Sequence, residues 1–373
     1  MDIKADIIFL GKRDHDDPLY RFYFDTLRAQ LIYRGFSVKL VSPDEDLSSH
    51  LSSNRPTIIN FFYKDRDASQ SIKRVAEKNF LSLSFCSDID SYADYADAYQ
   101  VADMFVCPSE MHQQVLRSVF DLPIYCLREA IDPILEKMHP VNWNKKTVDL
   151  VWFGFSESYQ KSMVALEAVI ISALQNGSIN SFSVISGESL EEQLPSEFTF
   201  IRYETNTFAE SLGSFAFTIL SHIPLDLHLN TFIKSPNKAC SSIMSGMIPI
   251  CSNTPNYQSL LKKSGLENYL FDSPEGLLNI LSKLRDLSAS ADLQSQLNLA
   301  SQYVSSHFSA QAQCDQYLEI IDSFDGSNVL DGSSQKRALK FYNPPIAPIK
   351  LRFYWRQQFA KLRQILGKIM SNY

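Results

Sequence analysis

The sequence predicts an α/β protein of two doubly wound, Rossmann-like domains that face each other across a cleft. Short apolar runs of strand length alternate with amphipathic helical stretches, which is typical of βαβ units with parallel strands. The alternation stops in a polar segment at 139–147 and then restarts. The length of 373 residues suits two domains of about 150 to 180 residues better than one.

The first half contains six apolar runs that we interpret as strands of one parallel sheet. Helical spacing of apolar residues predicts a helix from Pro18 to Arg34, with Gly35 as its C-terminal cap. Ser109 is suitably placed to cap the helix that begins at Glu110. The predicted strands lie at 5–11, 36–42, 57–63, 80–87, 104–109 and 122–127, and the other helices at 67–79 and 110–120.

The second half repeats this organisation, beginning with a strand at 147–154 that ends in glycine. Ligands of such sheets bind beyond the carboxyl ends of the strands, so we expect the site in the cleft. The further strands lie at 182–187, 198–203, 216–221 and 247–252, and the helices at 160–173, 239–245, 256–263, 274–287 and 310–321. We divide the chain into a first domain at 1–140, a second at 141–325, a turn-rich linker at 326–349 and a tail at 350–373.

The composition predicts neither a membrane-spanning helix nor a metal centre. No run of 18 apolar residues occurs, and the first eleven residues are typical of a buried strand, so we expect a cytoplasmic protein. The six cysteines form no C-x-x-C pair, and several lie inside apolar runs. We expect buried, reduced thiols and no bound metal.

The net charge of −7 is unevenly distributed, since residues 332–373 contain nine lysines and arginines and no acidic residue. The two domains are therefore more acidic than the whole chain, which argues against nucleic-acid binding. In the tail, apolar residues recur every three or four positions with basic residues largely off that stripe, as in helices that lie in an anionic membrane surface. Packing on the protein's own acidic surface or on a second subunit is the alternative. The residues expected to contact the inner face of the membrane are Trp355, Arg356, Phe359 and Arg363.

Two segments of the second half contain groups that bind a diphosphate, namely small residues at strand ends and cationic side chains near helix starts. In VWFGFSESYQKS (151–162), Gly154 ends a strand and Lys161 follows at the start of a helix. In KSPNKACSSIMSGMIPICSNTPNY (234–257), Lys238 precedes a helix and Gly246 lies near the next strand. The alternative interpretation is turn glycines and solvated surface lysines.

In order and spacing, these two segments, HFSAQAQCDQYLEII (307–321) and the upstream region 101–134 resemble segments of GT-B glycosyltransferases, in particular the retaining family four. The resemblance implies an acceptor-side first domain and a second domain that binds a nucleotide-sugar donor. The donor-binding residues that it implies are Gly154, Lys161, Asn237, Lys238, Ser241 and Gly246.

The resemblance further implies an enzyme that transfers a hexose from a UDP- or GDP-linked sugar with retention of configuration and without a metal or other cofactor. The expected acceptor is a glycan, lipid-linked if the tail lies on a membrane, in the synthesis of a cell-surface polysaccharide. An epimerase acting on sugar nucleotides is an alternative chemistry for the same fold.

The chain departs from the family at three positions. Ile233 and Ser241 stand where the family has two glutamates, and Phe155 replaces an arginine. The ribose contact and the second phosphate cation are therefore left without a candidate. This departure keeps open a second function, that of a non-catalytic binding or scaffold protein.

Asp88 and Asp90 follow an apolar strand of the first domain. At the cleft they are candidates for orienting or deprotonating an acceptor hydroxyl. The same spacing holds Mn²⁺ or Mg²⁺ in metal-dependent glycosyltransferases, which is a second interpretation. The third is helix capping, because acidic residues are favourable in a first helical turn.

The loop after the first strand supplies further candidates at the cleft. Gly11, Lys12 and Arg13 are expected to meet an acceptor or a phosphate, and His15 is a candidate base. A helix start before Pro18 is the alternative. His222 and His228 flank a loop on the donor side, without a spacing that assigns them a role.

Overall fold

The computed structural model describes residues 5–12, 17–51, 55–89, 93–135, 148–222, 229–288 and 292–323. In these residues it contains two six-stranded sheets, and neighbouring strands in both sheets run parallel. This confirms the predicted α/β fold with two doubly wound sheets. The tail, with Trp355, Arg356, Phe359 and Arg363, lies outside the described residues.

The first sheet forms from the six predicted runs, each trimmed by one to three residues. Its strands are β1 (Asp6–Leu10), β2 (Ser37–Val41), β3 (Thr57–Phe62), β4 (Leu81–Phe85), β5 (Met104–Cys107) and β6 (Ile124–Cys126). They are arranged in the order β2-β1-β3-β4-β5-β6. The order reverses between β1 and β3, which makes that pair the switch point of the sheet.

Helices cover this sheet at the predicted places and at one more, Ala93–Val101, where the sequence analysis predicted none. The first predicted helix begins at Pro18, passes through a π-helical segment, Tyr20–Asp25, and continues as α1 (Thr26–Tyr33). Ser109 caps the fourth helix as expected, since its Oγ accepts from the N–H of His112 at 3.2 Å. The remaining helices are α2 (Arg66–Arg74), α3 (Ala93–Val101) and α4 (Glu110–Arg117).

The second sheet is also parallel and doubly wound, with the strand order β12-β11-β10-β7-β8-β9. Its switch point lies between β7 and β10. The two-residue strand at its edge is too short to produce a sequence pattern. The strands are β7 (Asp149–Phe153), β8 (Ser181–Ser186), β9 (Thr199–Arg202), β10 (Phe217–Leu220), β11 (Ile248–Ser252) and β12 (Leu270–Phe271).

Ten helices follow β7 along the described part of the chain. The helix predicted at 160–173 is in fact two, separated by a 3₁₀ turn at Val164–Leu166. The helices are α5 (Ser156–Ser162), α6 (Glu167–Gln175), α7 (Phe208–Gly213), α8 (Leu229–Ile233), α9 (Asn237–Met244), α10 (Pro255–Lys263), α11 (Pro274–Leu281), α12 (Leu284–Ser288), α13 (Asp292–Phe308) and α14 (Ala310–Ser323). None of these helices or of those in the described part of the first domain is long and apolar enough to span a bilayer.

The last helix returns to the first domain. Cys314, Tyr317 and Ile320 on α14 are buried in the same apolar cluster as β1 and β4. The hydroxyl of Tyr317 donates to Oδ1 of Asn60 on β3 at 3.0 Å, and both side chains are buried. The core of the second domain therefore reaches from Ile131 to Phe308, whereas the sequence placed α14 within that domain.

Candidate functional site

The groups that converge at the switch point of the second sheet come from three separate elements. Gly154 directly follows β7, and His222 lies two residues after β10. Helix α9 connects β10 to β11 and runs antiparallel to them, so it begins at the carboxyl ends of the strands. Ligands of doubly wound sheets bind at this place.

Gly154 has a backbone conformation and surroundings that require glycine. Its φ of +155° lies in the region that L side chains rarely adopt. A methyl group there would overlap Nζ of Lys238 and lie 3.1 Å from two ring carbons of Trp152. The Gly154 N–H donates to the carbonyl of Ile185 at 3.1 Å, which fixes the turn. The amine of Lys238 thus occupies the space that the glycine leaves.

Lys238 is a partly buried cation held by a carbonyl and two aromatic faces. Its Nζ donates to the carbonyl of Phe153 at 3.0 Å and lies 5.2 Å from the ring centroid of Trp152. The centroid of the Phe153 ring is 5.7 Å away. Burial, and secondarily the charge of Lys234, lowers the pKa of Lys238 to about 8. An anion bound here would offset the cost of desolvating the ammonium.

His222, two residues after β10, contributes a neutral ring. Burial, together with the charges of Lys238 and Lys234, lowers its pKa to about 3. Its backbone N–H donates to Oγ of Ser252 at 2.9 Å, and its ring stacks on Tyr257 with centroids 5.4 Å apart. The imidazole is therefore a hydrogen-bonding group at neutral pH and not a cation.

Asn237 forms a hydrogen bond between the two domains, and Ser241 holds the Asn237 side chain in place. Nδ2 of Asn237 donates to the carbonyl of Ala130 at 2.8 Å, and the Ser241 hydroxyl donates to Oδ1 of Asn237 at 3.2 Å. Both side chains are buried. The expectation that they hold the donor directly is therefore not supported by these contacts.

Gly246 lies at the opposite end of the sheet from the site. It follows the last turn of α9 with φ of +77°, and the N–H of Met247 donates back to the carbonyl of Ser242 at 2.8 Å. It is the left-handed cap of the helix, next to the amino end of β11. The expected donor contact at Gly246 is wrong, because α9 begins at the site and ends away from it.

Lys161 is 62% exposed and its Nζ lies 2.6 Å from Oε1 of Glu157, one turn earlier on α5. Lys161 is therefore a solvated surface lysine in an ion pair within its own helix, as in the alternative interpretation of this segment. The structure therefore brings Gly154 and Lys238 together and leaves Lys161 in a surface pair.

Across the cleft, Asp88 follows β4 of the first domain. Its Oδ1 lies 2.6 Å from Nζ of Lys234, which belongs to the second domain, and its carbonyl accepts from the hydroxyl of Tyr95. Asp90 lies outside the described residues. Over the residues that the structure describes, no group of three His, Cys, Asp or Glu side chains is placed to hold a metal ion.

Glu129, which the sequence analysis missed, lies beside this pair. It is 6% exposed, and burial raises its pKa to about 7 although a hydrogen bond from Ser235 and the charge of Lys234 favour the carboxylate. The only sequence signal is an acidic residue shortly after the β6 run. Glu129 is thus a carboxylic acid that changes charge near neutral pH at the domain interface.

The first loop is described only in part. Gly11 is buried, and a methyl group there would lie 3.1 Å from the ring of Phe24. Nζ of Lys12 lies 3.5 Å from Asp67 and 3.9 Å from Asp44, so its nearest charged neighbours are two exposed carboxylates of its own domain. Arg13, His15 and, in the second domain, His228 lie outside the described residues.

No protein-family model and no curated protein sequence matches the chain. Solved glycosyltransferase structures do match its fold. The pneumococcal O-GlcNAc transferase GtfA, bound to UDP and GlcNAc, aligns over 74% of this chain with a TM-score of 0.55 and 12% identity. TarM of S. aureus aligns over 74% with a TM-score of 0.55 and 12% identity.

An α-glucosyltransferase, solved with UDP and a DNA containing an HMU base, aligns over 86% of this chain and 99% of its own length, with a TM-score of 0.63 and 12% identity. The chain spans 58% of the length of GtfA and 57% of that of TarM. At these identities the comparison shows the fold. The chain has the two-domain GT-B fold.

Replacing Gly154 with alanine should destabilise the protein by about 2 kcal/mol or more, because the backbone is strained and the methyl group meets the Lys238 amine. Combining Gly154→Ala with Lys238→Ala should recover part of this loss, since the colliding amine is gone. Urea unfolding of both single variants and the double variant measures the coupling. Gly187→Ala, whose methyl group meets nothing within 4 Å, is the control. Additive effects would contradict the contact.

Glu129→Gln should stabilise the protein relative to wild type at pH 8 by up to about 3 kcal/mol and change it little at pH 5. The raised pKa of Glu129 means that the folded state keeps a proton that the unfolded state releases above its ordinary pKa. Its contribution to stability is therefore complete in acid and is lost as the pH rises through about 7. Urea unfolding at the two pH values tests this, with the exposed Glu157→Gln as control. An equal difference at both values would contradict a buried acid.

Proposed function

We propose that this chain is a glycosyltransferase that binds the diphosphate of a UDP- or GDP-linked sugar between Gly154 and Lys238. The observation that carries the proposal is the Lys238 ammonium, held against the carbonyl of Phe153 at the switch point of the sheet. A desolvated cation next to a side-chain-free strand end suits phosphate oxygens. The similar structures that contain UDP support the same class of donor.

Sugar transfer breaks the bond between the anomeric carbon and the diphosphate, so negative charge develops on the leaving group. A fixed ammonium stabilises that charge most in the transition state, and its partly buried position strengthens the effect. Neutral His222 can donate to or accept from a substrate hydroxyl next to it. We propose transfer without a metal, in support of which Asp88 already has an ammonium partner.

The acceptor is proposed to enter from the first domain, where Asp88 follows β4. A glycan or lipid-linked glycan hydroxyl is the proposed acceptor group, with Asp88 as the carboxylate that orients or deprotonates it. The α-glucosyltransferase was solved with DNA. The acidic domains of this chain argue against such an acceptor here. Membrane contact through the tail and retention of configuration remain predictions.

One observation favours a second candidate, a non-catalytic sugar-nucleotide-binding protein. Ile233 and Ser241, which replace the family's glutamates, are buried and take part in contacts near the domain interface. Such a protein would bind the nucleotide and release no sugar. Transfer or slow hydrolysis of the donor distinguishes the enzyme from this candidate.

Lys238→Met should abolish the thermal stabilisation that UDP or GDP gives to the wild-type protein, because it removes the cation and leaves Gly154 in place. The unliganded variant should be at least as stable as wild type, since a partly desolvated charge is lost. In the wild type, the stabilisation should survive EDTA and weaken above pH about 8, as Lys238 loses its proton.

Lys262→Met, which changes an exposed lysine of α10, is the matched control. Equal nucleotide stabilisation of wild type and Lys238→Met would contradict the proposed donor site. Stabilisation abolished by EDTA would contradict transfer without a metal.

A further inference from the structure

Lys234 lies four residues before Lys238. Side chains of both domains contact the backbone around it. The Ile233 side chain is fully buried against Met111 and Val115 of α4. The Ser109 hydroxyl donates to the carbonyl of Ile233 at 2.8 Å. The backbone position of Lys234 is thereby fixed at the cleft.

The second domain holds the same backbone through one amide. Nδ2 of Asn256, in the first turn of α10, donates to the carbonyl of Lys234 at 2.8 Å and to that of Phe232 at 3.3 Å. Only the flexible side chain of Lys234 is left to change position. It is 45% exposed, and its ammonium contacts Asp88.

Lys234 and Lys238 lie four residues apart, just before and in the first turn of α9, at the carboxyl ends of the strands. Burial lowers the pKa of both Lys238 and His222, and the charge of Lys234 contributes to both shifts. Two ammonium groups that repel each other next to a neutral imidazole form a site whose charge a polyanion would balance. Asp88 contacts one of the two ammonium groups, and the neighbouring Glu129 is only partly ionised near neutral pH, so these carboxylates balance only part of the charge.

We propose that Lys234 is the second cation of the donor diphosphate site and exchanges Asp88 for a phosphate oxygen when the donor binds. The inference rests on the proposed function and deepens it. It fills the role for which the sequence offers no candidate, since Phe155 replaces the expected arginine and its ring is 68% exposed. The second cation thus comes from the segment before α9 and not from the turn after β7.

The exchange is energetically accessible. Ion pairs with an exposed partner contribute little net stability, and the Lys234–Asp88 pair is of this kind. A diphosphate offers more negative charge and more acceptor oxygens than one carboxylate. The same movement frees the Asp88 carboxylate, so the acceptor-side group becomes available once the donor is bound. Donor binding should therefore precede acceptor binding.

The test is isothermal titration of UDP and GDP, with uridine and guanosine as probes that lack phosphate. Lys234→Met should weaken binding of the diphosphates by ten- to a hundredfold and leave that of the nucleosides unchanged. Lys234→Arg should restore most of the affinity. Asp88→Asn should tighten diphosphate binding severalfold, because Lys234 no longer has to leave a carboxylate. Thermal unfolding confirms that each variant is folded, and Lys262→Met serves as control.

Unchanged diphosphate binding in Lys234→Met, together with loss of binding in Lys238→Met, would overturn the inference and leave the donor site intact. Weaker diphosphate binding in Asp88→Asn, as weak as in Lys234→Met, would also overturn it, because the ion pair would then be structural. A wild-type protein that binds neither UDP nor GDP would overturn the inference and the proposed function together.

Discussion

The ammonium of Lys238 occupies the position that a side chain at residue 154 would fill, and several features of the second domain depend on this arrangement. The contact between the ammonium and residue 154 requires glycine after β7. The same ammonium lies at the start of α9, next to the rings of Trp152 and Phe153. The amine is partly desolvated, with one carbonyl as its hydrogen-bond acceptor. Such a group costs stability in the empty protein and gains most from an anion.

The segment from Ile233 to Asn237 joins this cation to the first domain. Its apolar, charged and amide side chains contact α4, Asp88 and the carbonyl of Ala130. The residues that bring the domains together therefore directly precede the proposed phosphate ligand. Binding at the donor site and the contacts across the cleft are for this reason expected to be coupled, with Glu129 adding a dependence on pH near neutrality.

The strands and the two-domain organisation were predictable because buried parallel strands are continuous apolar runs, and because the pattern restarts after 147. The resemblance predicted that Gly154 and Lys238 belong to one site, and the fold brings these two residues together. Gly246 was misplaced because a linear sequence does not show which end of α9 faces the cleft. Lys234 and Glu129 were missed because their role arises only when the two domains meet. The two-residue strand β12 is too short to show a periodic apolar pattern. The sequence also does not show that α14 packs against the first domain.

The most direct test of the donor site is a crystal structure of the protein with UDP. We expect the diphosphate within hydrogen-bonding distance of Nζ of Lys238, beyond Gly154 at the carboxyl ends of β7 and β10. Lys238 would then remain over the ring of Trp152 while phosphate oxygens neutralise it. UDP bound elsewhere on the chain, or a cleft that stays without nucleotide at saturating UDP and GDP, would contradict the proposed donor site.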